Sequence, residues 1–339
     1  MSGWARVVLV LLGAAVLVVF VATADVADGL RNLAVADRGR LLIAVALVIV
    51  NLMVKTVRWR RMVWHFAAVR LGLFPAAAAV LAGVAAGSVS PARGVELAKP
   101  LLLRGTHAVA VASSTAAVLV ERLMDGAALA VLCGFSLMIL PVGAPLLVRL
   151  VVIATGALFV AGAAALLAPD ALARASQRLV ARVPLPAPRR KRIAQGVGRF
   201  AAGLRVWRHS GQLATLLLFS LLAALLEAIR VVIVFGALGI SISPFEAMFA
   251  FGAANLVAIA TLVPGGIGVT EASLAGIVGI FVPLAVARPA IAAAAVVDRV
   301  VSYYLPVVIG GVILLLAPSL LRRAQRGKPV TEPEPLRDD

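Results

Sequence analysis

Charge is scarce in this chain. Only 14% of its 339 residues are charged, where soluble domains carry about 25%. Apolar residues make up 63%, and the mean hydropathy is +1.07. One aqueous core cannot bury that much apolar surface, so lipid must cover much of it. Long apolar runs recur from end to end and leave no room for a separate soluble catalytic domain. Cysteine is nearly absent: Cys133 stands alone, which excludes an intrachain disulfide. The three histidines, His65, His107 and His209, lack the spacing of metal ligands. Nucleophile elbows, phosphate-binding glycine loops followed by lysine, and HExxH motifs are all missing. The expectation is therefore no enzyme, no metal and no cofactor. Acidic residues are also few, and the formal net charge is +17. In a soluble protein this would suggest nucleic acid. Here the arginines sit in short segments between apolar runs, which is a topology signal and excludes nucleic acid as partner.

A bilayer-crossing helix needs about 20 apolar residues. Full spans are expected over roughly 7–21 (an uncleaved first span), 41–57, 108–140, 146–167, 213–238 and 290–316. Two further apolar stretches are broken. Pro75–Val89 is interrupted at Ser90–Gly94 and resumes as a short piece, Val95–Leu103. Phe245–Val263 ends in Pro264-Gly265-Gly266-Ile267-Gly268 before Val269–Pro283. Each broken stretch reads as a re-entrant helical hairpin. Three regions are rich in basic residues: 58–70, a loop at 170–212, and the tail after Arg322. About six spans plus two hairpins place all three on the cytoplasmic side. The expected fold is thus an all-α polytopic membrane protein, with one transmembrane domain over 1–320 and a disordered cytoplasmic tail over 321–339.

The two halves echo each other. Arg58 precedes Pro91 by 33 positions, and Arg230 precedes Pro264 by 34. Glu96 is followed 26 positions later by Arg122 of Glu121-Arg122, and Glu271 28 positions later by Arg299 of Asp298-Arg299. The first hairpin would enter from inside and the second from outside. Units of about 41–140 and 213–317 would then form an inverted-topology repeat, an arrangement that places a transporter's substrate near the membrane midplane.

Ionisable residues inside spans are expensive and face the protein interior. The candidates are Arg93, Glu96, Glu121, Arg122, Asp125, Glu227, Arg230, Glu271, Asp298 and Arg299. Some of them serve as structural ion pairs or as groups that engage substrate. Arginine suits phosphate because its fork makes bidentate contacts, which points to Arg93, Arg122 and Arg299. Glu96 and Glu271 could carry protons or orient those arginines. Glu121 and Asp125 share a helix face. Pro91, Gly94, Pro264, Gly265, Gly266 and Gly268 are the candidate hinges. In the basic loop, Arg174, Arg178 and Arg182 recur every four residues, a stripe suited to anionic headgroups.

The stretch Ser90-Pro91-Ala92-Arg93-Gly94-Val95-Glu96-Leu97-Ala98-Lys99-Pro100 and the later Val120-Glu121-Arg122-Leu123-Met124-Asp125 resemble the transmembrane region of lysylphosphatidylglycerol synthase. So does Val263–Glu271. The resemblance covers about 41–317 and implies a membrane region associated with moving lipids between leaflets. This chain stops after its last span, so synthesis of lysylphosphatidylglycerol is not expected. The expectation is a transporter or flippase in a bacterial inner membrane, its cargo an anionic phospholipid, a polyprenyl-phosphate or a glycolipid. A non-transporting partner of a glycosyltransferase or lipid-synthesis enzyme is the alternative. Membrane lipids are the expected partners, with lipid or glycan biosynthesis enzymes beside them.

Overall fold

A computed structural model describes residues 36–88, 98–107, 111–140, 146–166, 168–182, 211–282 and 288–316, together with positions 18, 21–22, 186, 193 and 195. The described residues are helical, with no strand among them. In chain order the helices are α1 (Arg38–Ala67), α2 (Leu73–Ser88), α3 (Ala98–His107), α4 (Val111–Ile139), α5 (Leu146–Ala165), α6 (Pro169–Arg182), α7 (Gln212–Ala237), α8 (Pro244–Ala260), α9 (Val269–Phe281), α10 (Arg288–Arg299) and α11 (Leu305–Leu316). A 3-10 turn at Pro264–Gly266 precedes α9, and a π turn at Val300–Tyr304 joins α10 to α11. Among the described residues, four helical segments are long and apolar enough to cross a membrane: Arg38–Ala67, Gln212–Ala237, Pro264–Phe281 and Arg288–Leu316. The chain is a multi-pass membrane protein. Leu42, Ile49, Val308, Val312 and Leu315 project outward from α1 and α11, on faces that water would not tolerate and lipid would cover.

Local chemistry sets the helix ends. Asp37 caps α1, its carboxylate accepting from the Arg40 amide, and the helix ends where Ala68 turns left-handed at φ 53°. A capping box of Ser243 and Glu246, with Pro244 in the first turn, starts α8. The Pro264–Gly268 break requires its glycines: Gly265, Gly266 and Gly268 have φ of 65°, 66° and 78°, a region other residues enter at a cost.

The two first helices of the halves, α1 and α7, lie against each other. Around them α2 packs on α11, and α4 packs on α8. The limbs of each broken stretch, α2 with α3 and α8 with α9, also pack together. One apolar core gathers on α8, with Phe235, Phe249, Leu256 and Val278 buried in it. A second gathers Trp59, Met62, Val80, Val120 and Leu216 from α1, α2, α4 and α7.

Three expectations change. Helix α1 does not stop at Val57 but continues to Ala67, because Arg58 is neutralised inside the protein rather than by water. The 170–212 region is not loop throughout: Pro169–Arg182 is a helix, its first turn carrying Asp170 where the dipole favours an anion. Arg174 and Arg178 on it are exposed. Helix α3 runs past Leu103 to His107. The first span and the tail lie outside the described residues, apart from positions 18 and 21–22.

Candidate functional site

Helix α1 carries a polar stripe. Asn51, Lys55 and Arg58 stand four and then three residues apart, one face of a helix. That face meets α4 and α7. The Arg58 guanidinium is 1% exposed and reaches three partners. It donates to both oxygens of Asp125, to Glu121 Oε1 at 2.8 Å, and to Ser220 Oγ. Ser220 in turn donates to Asp125 Oδ1 at 3.0 Å. From α3, Lys99 Nζ donates to Glu121 Oε2 at 2.8 Å and lies 4.9 Å from the Trp59 ring centre. Both oxygens of the buried Glu121 thus accept from cationic side chains.

The second half repeats the theme. Arg230 of α7 is 2% exposed and donates to Asp298 of α10, to its side chain and, at 3.1 Å, to its carbonyl. Its other arm donates to Glu227 Oε2 at 2.7 Å. In each half, the arginine of the first helix therefore holds the acid of the later acid–arginine pair. Between the halves, Lys55 Nζ donates to Glu227 Oε1 at 3.0 Å, and Asn51 donates to the same oxygen. Lys55 and Glu227 sit three residues before Arg58 and Arg230 respectively, so corresponding positions of α1 and α7 meet.

At the glycine break, Arg299 Nε donates to Glu271 Oε1 at 3.0 Å, and Nη2 donates to the Gly265 carbonyl at 3.1 Å. Its guanidinium stacks 4.0 Å from the Tyr303 ring centre. Tyr304 Oη donates to the same Glu271 oxygen at 2.7 Å. The π turn sets this geometry, since it presents Tyr303 and Tyr304 together beside Arg299. Single π turns inside helices recur at functional sites. Gly265 fits beneath Tyr303 only because it has no side chain: a Cβ there would lie 2.2 Å from Tyr303 Oη.

These groups surround one cavity of about 400 Å³. Among the described residues six cations line it: Lys55, Arg58, Lys99, Arg122, Arg230 and Arg299. Four carboxylates line it as well, Glu121, Asp125, Glu227 and Asp298. Uncharged polar residues line it too, among them Asn51, Ser220, Asn255 and Thr270, and apolar side chains complete the wall, with Val80, Leu81 and Val84 from α2, Phe159 from α5, and Phe251 and Ile259 from α8. Charged and apolar groups thus line the same cavity, as an amphipathic ligand needs.

Of the residues singled out in the sequence, the structure brings Glu121, Arg122, Asp125, Asp298 and Arg299 to the cavity. Glu271 is fully buried directly behind Arg299. Pro264, Gly265, Gly266 and Gly268 form the buried bend beside it. Arg93, Glu96, Pro91 and Gly94 lie outside the described residues. The sequence reading placed Arg58 in a cytoplasmic basic cluster, and the structure corrects this: it is a central cation of the cavity. Lys55 was not singled out, and Lys99, Glu227 and Arg230 were not assigned to the site. The spacing of Asn51, Lys55 and Arg58 on one face of an apolar helix was the available signal.

Comparison with known proteins places this chain in a family. A UPF0104 membrane protein of Methanothermobacter thermautotrophicus is 31% identical over 122 residues, 36% of each chain. Another, of Pyrococcus horikoshii, is 25% identical over 118 residues, covering 35% of this chain and 34% of the relative. The similarity thus spans about a third of the length of these curated relatives. The model of the lysylphosphatidylglycerol synthase transmembrane region matches residues 4–310, nearly the whole chain, and this protein belongs to that family.

Proposed function

We propose that the protein moves an anionic lipid between the leaflets of the plasma membrane, with the charged cavity as the site where the headgroup is held. The observation that carries this reading is the cavity's lining: among the described residues, six cations and four carboxylates together with a set of apolar side chains. A phosphate-bearing headgroup satisfies the first and its hydrocarbon the second. Arg122 and Arg299 engage the phosphate, Arg299 from a guanidinium pre-oriented by Glu271 and Tyr303. The cargo is an anionic phospholipid, a polyprenyl-phosphate or a glycolipid. The two halves act as an inverted repeat that rocks about the α1–α7 contact, and the broken stretches form re-entrant hairpins whose glycines serve as hinges. The α6 arginines rest on anionic headgroups at the cytoplasmic surface, the side that also carries the C-terminal tail. The protein breaks no covalent bond in this reading, and any lipid or glycan biosynthesis enzyme acts before or after it.

The test is leaflet exchange of headgroup-labelled anionic lipid in proteoliposomes, wild type beside Arg122→Ala and Arg299→Ala. Rapid exchange by wild type, roughly 10- to 150-fold slower in each variant at equal folded protein, is expected from loss of charge-assisted contacts worth roughly 1.5–3 kcal/mol each. Exchange unaffected by either substitution would reject the cavity as the path. Loss of folded protein instead would make the two arginines architectural.

A further inference from the structure

We infer that Glu271 takes up one proton for each anionic headgroup that Arg299 engages, so that a pH difference across the membrane drives the movement of lipid. This rests on reading the cavity as the site of the headgroup. The geometry is one cation between two anion positions. Arg299 lines the cavity. Its Nε donates to Glu271 Oε1 and its Nη2 to the Gly265 carbonyl, so Nη1 is the arm left for the cavity. Glu271 stands behind it, fully buried. Its Oε1 accepts from Arg299 and from Tyr304 Oη, whereas Oε2 is buried and accepts no hydrogen bond. Three carboxylates that line the cavity differ in this. Glu121, Asp125 and Glu227 each have donors on both oxygens.

The bare oxygen is a place for a proton. A carboxylic acid protonated at Oε2 keeps Oε1 as an acceptor, so the bonds from Arg299 and Tyr304 stay as they are and no side chain has to move. An unpartnered buried oxygen also costs less when it bears no charge. The second anion is what calls for the proton. Without a headgroup, Glu271 is the counter-ion of Arg299. A phosphate on Nη1 puts a second anion beside the same buried guanidinium, and charges repel far more strongly there than in water. A nearby like charge disfavours an ionised carboxylate. A proton taken from solvent adds to Glu271, gives the neutral acid and restores one cation with one anion. It returns to solvent when the headgroup leaves. Ionisable residues inside membrane spans serve such proton steps in transporters. Few other groups face Glu271. Its helix α9 packs on α8 and α10. The one charged residue of α8, Glu246, caps that helix's start. From α10 come Arg299 and, next to it, Asp298, which is held by Arg230, while Arg288 stands at the other end of α10. The π turn supplies Tyr303 and Tyr304.

One proton moving with one negative charge carries no net charge. A carrier of this kind responds to a pH difference and not to a membrane potential; a carrier of the anion alone does the opposite. The experiment follows headgroup-labelled phosphatidylglycerol in proteoliposomes to its steady distribution between leaflets. One arm imposes a pH difference of about one unit with the potential held at zero, and the other imposes a potential at equal pH. Wild type is expected to enrich the label about tenfold in the leaflet on the alkaline side and to leave it even under the potential. Glu271→Gln keeps an acceptor for Arg299 and Tyr304 but takes no proton. Its label is expected to ignore the pH difference and follow the potential, a readout of steady distribution that a slower rate does not alter. Wild-type label that stays even under the pH difference or follows the potential overturns the inference and leaves transport standing, as does a Glu271→Gln that still follows the pH difference. If that variant does not fold, the two wild-type arms decide alone. A folded wild type that moves no label in either arm overturns the transport reading as well.

Discussion

Arg58 shows how a charge is kept inside a membrane protein. Burying an ionised guanidinium alone would cost several kcal/mol, and it persists because Glu121, Asp125 and Ser220 surround it. Removing it takes a hydrogen-bonded cation from Asp125 and leaves Glu121 with Lys99 alone of the two it had. Arg58→Ala should therefore destabilise the fold by about 3–5 kcal/mol, seen as a large drop in detergent melting temperature, with Arg58→Lys intermediate because a point charge cannot span the same acceptors. A melting temperature unchanged in Arg58→Ala would mean that water reaches this network. Residues such as Glu121, Arg122, Asp298 and Arg299 were legible in the sequence because each interrupts a long apolar run. Arg58 was not, since it stands at the end of such a run beside Arg60 and Arg61. Those two do lie at the periphery, Arg60 donating to the Leu71 carbonyl and Arg61 stacking on Phe219. Adjacent arginines thus have opposite fates, decided by helical phase and not by local composition.

At the level of elements, glycine sets how closely helices approach. Gly310 of α11 lies against the backbone of α2, where a Cβ would come within 2.1 Å of the Leu81 carbonyl oxygen. A backbone carbonyl in a helix cannot move aside, so Gly310→Ala must push the two helices apart. It is expected to cost about 1–3 kcal/mol by overpacking. The neighbouring Gly311 has nothing within 4 Å of an added Cβ, and Gly311→Ala should be neutral or slightly stabilising through helix propensity. Parallel thermal melts of the two variants check the contrast, and equal behaviour would contradict the close α2–α11 contact. The break at Pro264–Gly268 was legible because proline and clustered glycine interrupt an apolar run. The π turn was not: Val300–Tyr304 reads as ordinary helix, and the wider turn follows from bringing Tyr303 and Tyr304 to Arg299 and Glu271, a tertiary requirement. Helix α6 was legible in part, since the recurrence of Arg174, Arg178 and Arg182 already implied a helical face within what otherwise reads as a loop.

For the whole molecule, the pattern of contacts matters more than any one of them. Helix α1 meets α7, α2 meets α11 and α4 meets α8, so each half completes the other and the cavity belongs to both. Motion of one half against the other would change the cavity's access while leaving most of the ion pairs within each half intact, with Lys55–Glu227 as the pair between them. The matched spacings of Arg58 with Glu121-Arg122 and of Arg230 with Asp298-Arg299 were visible in the sequence, and the structure pairs each first-helix arginine with the acid of that later pair. Which side chains would meet could not be anticipated, because pairing across helices depends on packing that spacing does not encode. The most direct measurement is an experimental structure of the protein in nanodiscs containing phosphatidylglycerol. Headgroup density in the cavity, with a phosphate within hydrogen-bond distance of Arg122 or Arg299, is the expected result; a cavity occupied only by water in a sample that exchanges lipid would contradict it and place the lipid path elsewhere on the molecule.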